Sequence, residues 1–380
     1  MKKILFTLLT FSMLGTLASC DHGEAEDNND LAMQAVAEQY VDHVIAPTYM
    51  ALANAAEQLV SDLKNLQASR TDANVQAACA TFLEARAWWE KSEAFLYGAA
   101  SDFGIDPHID SWPLDLDGFN TLMSNSALVN SLAGESGDEY AGNYLGNSLL
   151  GFHGIEYILF QDGHPKSASL ISDLHMTYAV AVAGDLRNSC YQLEVSWIGN
   201  DAPAAHLEKV EALELNTTIN GGNSYGVNFK SAGNAGSTYS SRLSAMMAIL
   251  DGCATIADEV GTSKIGKPFN GEDPNYIESP YSQKSIVDFY DNIISIQNAY
   301  MGGVEGQRDN SRSLHALMQE LDPDVDARIV SAIEAALLKI SQMKAPFVNN
   351  YTDASCLEAI TACQNLDEAL GMGINSLRNN

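Results

Sequence analysis

From 149 to 160 the chain reads Leu-Leu-Gly-Phe-His-Gly-Ile-Glu-Tyr-Ile-Leu-Phe, a largely apolar run in which His153 and Glu156 alone ionise near neutral pH. Three residues apart on a helix, the two side chains project from one face. Burying an unpaired carboxylate is costly, so the pair calls for a partner: a metal ion, another cation or a fixed hydrogen-bond network. A neutral imidazole nitrogen with a carboxylate oxygen suits zinc or iron, and di-iron helical bundles use a Glu/His pair at this spacing in the reverse order. Two ligands do not complete a coordination sphere. Glu93, Asp110 and Glu278 are the carboxylates expected to contribute the rest. Gly151 and Gly154 flank the histidine and permit close approach of a backbone or a ligand. The competing interpretation is a satisfied core histidine beside a carboxylate.

A second polar pair lies in the seam Cys79, Phe82, Arg86, Trp89, Glu93, Leu96, whose 3-4-3-4-3 spacing marks a helix face turned to a bundle core. Arg86 inside that seam reads as half of a buried structural salt bridge. Glu93, in Ser92-Glu93-Ala94-Phe95, sits just before Gly98, where a side chain can reach a cleft. The chain contains no His-Glu-x-x-His, Gly-x-Ser-x-Gly, Walker loop or dinucleotide fingerprint, so those mechanisms have no motif here.

The elements that must position these residues are helical, because Ala, Leu, Glu and Gln rich segments dominate and alternating β-branched runs are few. We expect an all-α protein of two packed, four-helix-bundle-like domains, 31–216 with the His/Glu motif and 238–380, with a Gly/Asn/Ser-rich loop at 217–237 between them. In the first, a helix over 30–66 bends near Pro47, and Asp72 caps a second helix ending at Gly98. Residues 99–118 read as an ordered loop, and helices follow at 168–195 and 203–213. In the second, helices are expected at 238–260, 283–300, 325–343 and 352–376, with an irregular stretch at 261–282.

Twenty Lys+Arg against 49 Asp+Glu in 380 residues give a formal charge of −29, which repels nucleic acid and anionic lipid and excludes nucleic-acid function. Lys2 and Lys3 precede an apolar stretch from Ile4 to Leu17, and Leu17-Ala18-Ser19-Cys20 follows. This N-terminus resembles a bacterial lipoprotein signal: 1–19 would be removed, Cys20 lipidated, and 20–30, rich in Asp and Glu, would form an acidic tether. The expected location is the bacterial cell envelope, with the chain anchored to the outer membrane on its periplasmic face or at the cell surface. Five cysteines remain after Cys20, an odd number, and they read as small buried hydrophobes.

With these residues in hand, the chain resembles the imelysin family, also labelled M75 peptidases. Gly151-Phe-His-Gly-Ile-Glu156 matches the family's Gly-x-His-x-x-Glu motif. Supporting similarity lies in Arg86-Ala-Trp-Trp-Glu-Lys-Ser92-Glu-Ala-Phe95, in Ile109-Asp-Ser-Trp112-Pro113, and in Glu278-Ser-Pro-Tyr-Ser282 running into Ser285-Ile-Val-Asp288. The resemblance implies two helical bundles with the motif near their interface, in exported proteins associated with bacterial iron uptake. It implies binding of an iron or zinc cation, or of an iron chelate, near His153 and Glu156, with envelope iron-transport proteins as partners. It also implies a second reading, a metallopeptidase in which His153 and Glu156 hold the metal and Glu93 serves as base, although no oxyanion donor is identified. A non-catalytic interaction module with a structural His/Glu pair is the third.

Overall fold

In the computed structural model, residues 22–219 and 221–379 are described, so the leader and the Cys20 lipidation site lie outside them. The helix expected at 30–66 is two helices, His22–Tyr40 and Ala46–Ala68, joined by a π-helical turn at Val41–Ile45. The interruption follows from Pro47, which has no N–H to give to the carbonyl four residues back. That carbonyl, on His43, accepts from the Val304 N–H instead, at 2.8 Å. Helical backbone begins at His22, within the stretch read as an acidic tether, and Asp30 pairs with Arg242.

The next helix, Asp72–Glu90, is capped by Thr71, whose side chain accepts from Asn74 N–H, and not by Asp72. Asp72 points away and accepts from the Ala168 N–H at 2.7 Å. The helix also stops eight residues before Gly98. Ser92 turns its hydroxyl back onto the Trp89 carbonyl at 2.6 Å, and the Ala94 N–H leaves the helical ladder to donate to Ser295 Oγ at 3.0 Å. A 3-10 turn, Glu93–Phe95, follows. The segment 99–118, expected as loop, carries short helices at Ala99–Asp102 and Ile105–Ile109. The loop expected at 217–237 likewise contains a helix, Tyr225–Lys230, capped by Ser224. Tyr225 and Phe229 lie one turn apart on it and pack on Trp197, with Phe229 also against Tyr40.

Helices Ala46–Ala68, Asp72–Glu90 and Asp173–Ile198 pack together with the shorter Gly137–Tyr144 and Gly151–Leu159. Arg242–Glu259, Ser285–Met301, Pro323–Ser341 and Ala354–Asn379 form the second group. The first helix, His22–Tyr40, packs on Arg242–Glu259 and on Leu314–Leu321, so the chain enters the fold through its C-terminal group. The two groups meet where Asp72–Glu90 and the Glu93–Phe95 turn face Ser285–Met301 and Arg242–Glu259. Among the described residues the only sheet is a two-residue pairing, Phe160–Gln161 with His164–Pro165. Cys79, Cys190, Cys253, Cys356 and Cys363 are free and buried, as small hydrophobes should be.

Candidate functional site: a buried charge network between the bundles

The motif helix Gly151–Leu159 is set in place by its two glycines. Gly151 has φ +67°, and a Cβ there would lie 1.8 Å from the Ile109 carbonyl oxygen; a Cβ on Gly154 would lie 2.1 Å from the Tyr178 hydroxyl. What approaches the glycines is therefore the protein itself. Pressed against residue 109, the helix brings His153 Nε2 to 3.0 Å from Asp110 Oδ1. One turn on, Glu156 Oε1 accepts the backbone N–H groups of Tyr281 at 3.1 Å and Ser282 at 2.7 Å, while its Oε2 lies 3.5 Å from His153 Nδ1. Glu156 thereby clamps the 278–282 segment onto the motif helix.

At the centre lies Arg86, 2 % exposed. Its guanidinium bonds Glu90 and Asp110, reaches Glu278 Oε1 at 2.6 Å, and has Asp288 Oδ2 at 3.9 Å from Nε. Trp89 Nε1 donates to the other Asp110 oxygen at 2.7 Å. Lys264, at the end of a π-helical turn Val260–Lys264, places Nζ 3.2 Å from Glu278, 3.6 Å from Glu90 and 3.7 Å from Glu93. Asn292 donates to Glu90 Oε2 at 2.5 Å. Trp112 closes one side, its ring 5.9 Å from that of His153 and 5.4 Å from Lys264 Nζ.

The expected residues Glu93, Asp110, His153, Glu156 and Glu278 thus converge, with Arg86 as hub. Ser92 acts on the backbone at the helix end, and Ser282 contributes its N–H, its hydroxyl having no hydrogen-bond partner among the described residues. Sequence reasoning missed Lys264, Glu90, Asp288 and Asn292. Glu90 was discoverable, being one helical turn from Arg86. Lys264 stands in a segment with no helical pattern and gave no signal.

Six buried carboxyl groups, Glu90, Glu93, Asp110, Glu156, Glu278 and Asp288, face three buried bases, Arg86, Lys264 and His153. Burial and mutual repulsion oppose full ionisation of such a set. Burial drives Glu93 and Asp288 well above the ordinary carboxylate range and lifts Glu278 to about 7, although Lys264 and Arg86 pull the other way. Asp110 moves the other way: burial would raise it, but Arg86 and His153 hold it well below its usual value. Burial likewise disfavours the His153 imidazolium, yet Asp110 and Glu156 more than reverse this and raise the ring to about 9. His153 is accordingly a cation at neutral pH, an N–H donor on both sides.

Carboxylate oxygens of Glu90, Asp110 and Glu278 lie within 4.8 Å of one another, close enough to share a metal ion. In this arrangement Arg86 bonds all three, so a side-chain cation serves them. Two cavities flank the network. One of about 380 Å³ is lined by Trp112, His153 and Tyr281. The other, about 690 Å³, is lined by Glu93, Asp106, Asp251 and Glu259 together with Tyr97 and Tyr239. Burial, reinforced by Asp110 and Glu259, pushes Asp106 up to about 6. Chemically, the seam carries more carboxyl groups than bases, and those of raised proton affinity, Glu93, Glu278 and Asp288, can hold protons.

Residues 45–371 match the family model described as Imelysin, Peptidase_M75. The chain belongs to the imelysin family. Iron-regulated protein A of Synechococcus elongatus is 29% identical over 283 residues, covering 74% of this chain and 67% of the relative. A solved structure from Parabacteroides distasonis, named as an iron-regulated protein A precursor, superposes with a TM-score of 0.77 at 28% identity, over 92% of this chain and 95% of that one. An imelysin-like protein from Psychrobacter arcticum shares the fold, with a TM-score of 0.61 at 13% identity over 88% of this chain and 93% of that one. In this imelysin the Gly-x-His-x-x-Glu motif works as a joint: glycines for close packing, histidine for charge, glutamate for clamping the second bundle.

Proposed function

We propose that this imelysin acts in the bacterial cell envelope in acquisition of iron or another metal, binding a metal ion or an iron chelate at the acidic seam between its bundles. The observation that carries the reading is the charge surplus: six buried carboxyl groups against three bases, opening through Glu93 onto a cavity lined by Asp106, Asp251 and Glu259. A cation entering there replaces protons held on Glu93 and Glu278, whose proton affinity is raised, and Asp110, His153 and Glu156 are the further side chains it would engage. Relatives named for iron regulation support iron as the cargo. Anchoring through Cys20, with envelope iron-transport proteins as partners, completes the proposal. The peptidase reading draws support from the family label and would use the same His153, Glu156 and Glu93, so peptide cleavage that Glu156→Gln abolishes is the result that would favour it.

The test is calorimetric titration of the purified chain with Fe(II), Fe(III) and Zn(II), beside Glu93→Gln and a His153→Ala/Glu156→Ala double variant. Saturable binding that Glu93→Gln weakens at least about tenfold in a folded protein is expected for loss of one charged ligand. Equal binding by wild type and Glu93→Gln would remove the seam as the site.

A further inference from the structure

On a different face, the first bundle carries a hollow of opposite character. Lys64 from the helix Ala46–Ala68, Arg187 from Asp173–Ile198 and Lys209 from the helix Ala204–Ala212 all line one cavity of about 610 Å³. In a chain with 49 acidic and 20 basic residues, three of the basic ones meet there, against two acids on the same wall, Asp138 and Glu135. We infer that this cavity binds a small polycarboxylate anion.

The arrangement is fixed from beneath. Asp138 is buried and receives Arg187 Nη2 at 2.9 Å, Lys209 Nζ at 3.0 Å and Asn188 Nδ2 at 3.1 Å, which holds the two cations at the cavity wall. Lys64 has no hydrogen-bond or ion-pair partner among the described residues, so its charge is free for a ligand. Gly134, also in the lining, has φ +114° and nothing within 4 Å of where a Cβ would stand. Leu132, Val60 and Val180 add apolar lining.

Lys64 is free, and Arg187 and Lys209 keep N–H groups beyond their bonds to Asp138, so donors from three separate helices line a partly apolar cavity and fit a hydrocarbon skeleton bearing two or more carboxylates better than a compact single-centre phosphate. The cavity also far exceeds the space one phosphate needs. In a strongly negative molecule, this local reversal of sign gives such an anion one favourable place to dock.

The experiment is calorimetry on the purified full chain, stripped of metal on a chelating resin, with citrate as probe and inorganic phosphate as competitor. Its outcome is independent of the metal reading, because no metal is present. One-to-one citrate binding that weakens with ionic strength, falls about fivefold in Lys64→Ala and is lost in Lys64→Glu is expected. Lys64 is exposed and unpartnered, and thermal melting verifies that both variants fold. Absence of citrate binding, indifference to Lys64→Glu, or equal displacement by phosphate would each overturn the assignment.

Discussion

Arg86 Nη2 lies 2.6 Å from Glu278 Oε1, a bond between a core helix of the first bundle and the segment that joins Arg242–Glu259 to Ser285–Met301 in the second. The same guanidinium holds Glu90 and Asp110, and Asp110 in turn holds His153. Docking of the bundles therefore runs through one side chain, and Asp110, which Arg86 holds ionised, is also the carboxylate that charges the motif histidine against the repulsion of Arg86 itself.

Arg86→Met is the direct test of that dependence. It leaves Glu90, Asp110 and Glu278 buried with one cation fewer, a class of change that costs about 3–5 kcal/mol. Arg86→Lys should recover only part, since a single ammonium cannot bond three carboxylates through a planar fork. Urea unfolding of the three proteins measures this; a loss below about 1 kcal/mol for Arg86→Met would mean that the network is not holding the bundles.

The glycines of the motif make a second, separable prediction. Gly154→Ala sets a methyl 2.1 Å from the Tyr178 hydroxyl, and Tyr178→Phe removes that oxygen, the next ring atom being 3.2 Å away. Overpacking of this kind costs about 1–3 kcal/mol, and the double variant should be more stable than Gly154→Ala alone. Gly151→Ala has no such rescue, because its obstacle is the Ile109 backbone and its φ is +67°.

How much of this was legible in the sequence follows the same division. Helical periodicity revealed the long helices, and the apolar run around His153 exposed the motif, because a local pattern shows whatever lies on one face of one helix. Glu93, Asp110 and Glu278 are expected because the His/Glu pair needs further partners, and the blocks that resemble the imelysin family contain all three, but no local pattern shows that they converge. Lys264 was invisible, since its place depends on a π-helical turn that no period announces. The extent of 72–98 was misjudged for a tertiary reason: the Ala94 N–H finds Ser295, a partner about two hundred residues away.

Stability should fall as pH rises from about 5 to 9. Glu278, raised from 4.5 to about 7, keeps its proton in the folded state where the unfolded chain has lost it, so its contribution declines across that interval. Asp106 does the same between 3.8 and about 6. His153, raised from 6.5 to about 9, contributes fully below 6.5 and loses its contribution as pH passes through 9. Each acts in the same direction, with on the order of 3 kcal/mol as the upper bound for the histidine. Urea midpoints at pH 5, 7 and 9 measure the slope, and His153→Gln should flatten its alkaline limb. A midpoint that climbs between pH 7 and 9 would contradict the charged histidine.

Loading of a cation should release protons, and this separates occupation of the seam from adsorption on the acidic surface. Solvated carboxylates at neutral pH have already lost their protons, so a metal held by them alone displaces none. Glu93 and Asp288 sit well above the ordinary range and Glu278 reaches about 7, so a cation engaging Glu93 or Glu278 must drive protons off. Titrating Fe(II) at pH 6.5 in two buffers of different ionisation enthalpy counts them: about one proton or more per metal is expected, with affinity declining as pH drops below 7. Glu278→Gln should lower that count while leaving surface adsorption as it was. Binding with no buffer dependence would place the metal on the solvated surface and leave the seam as a structural joint.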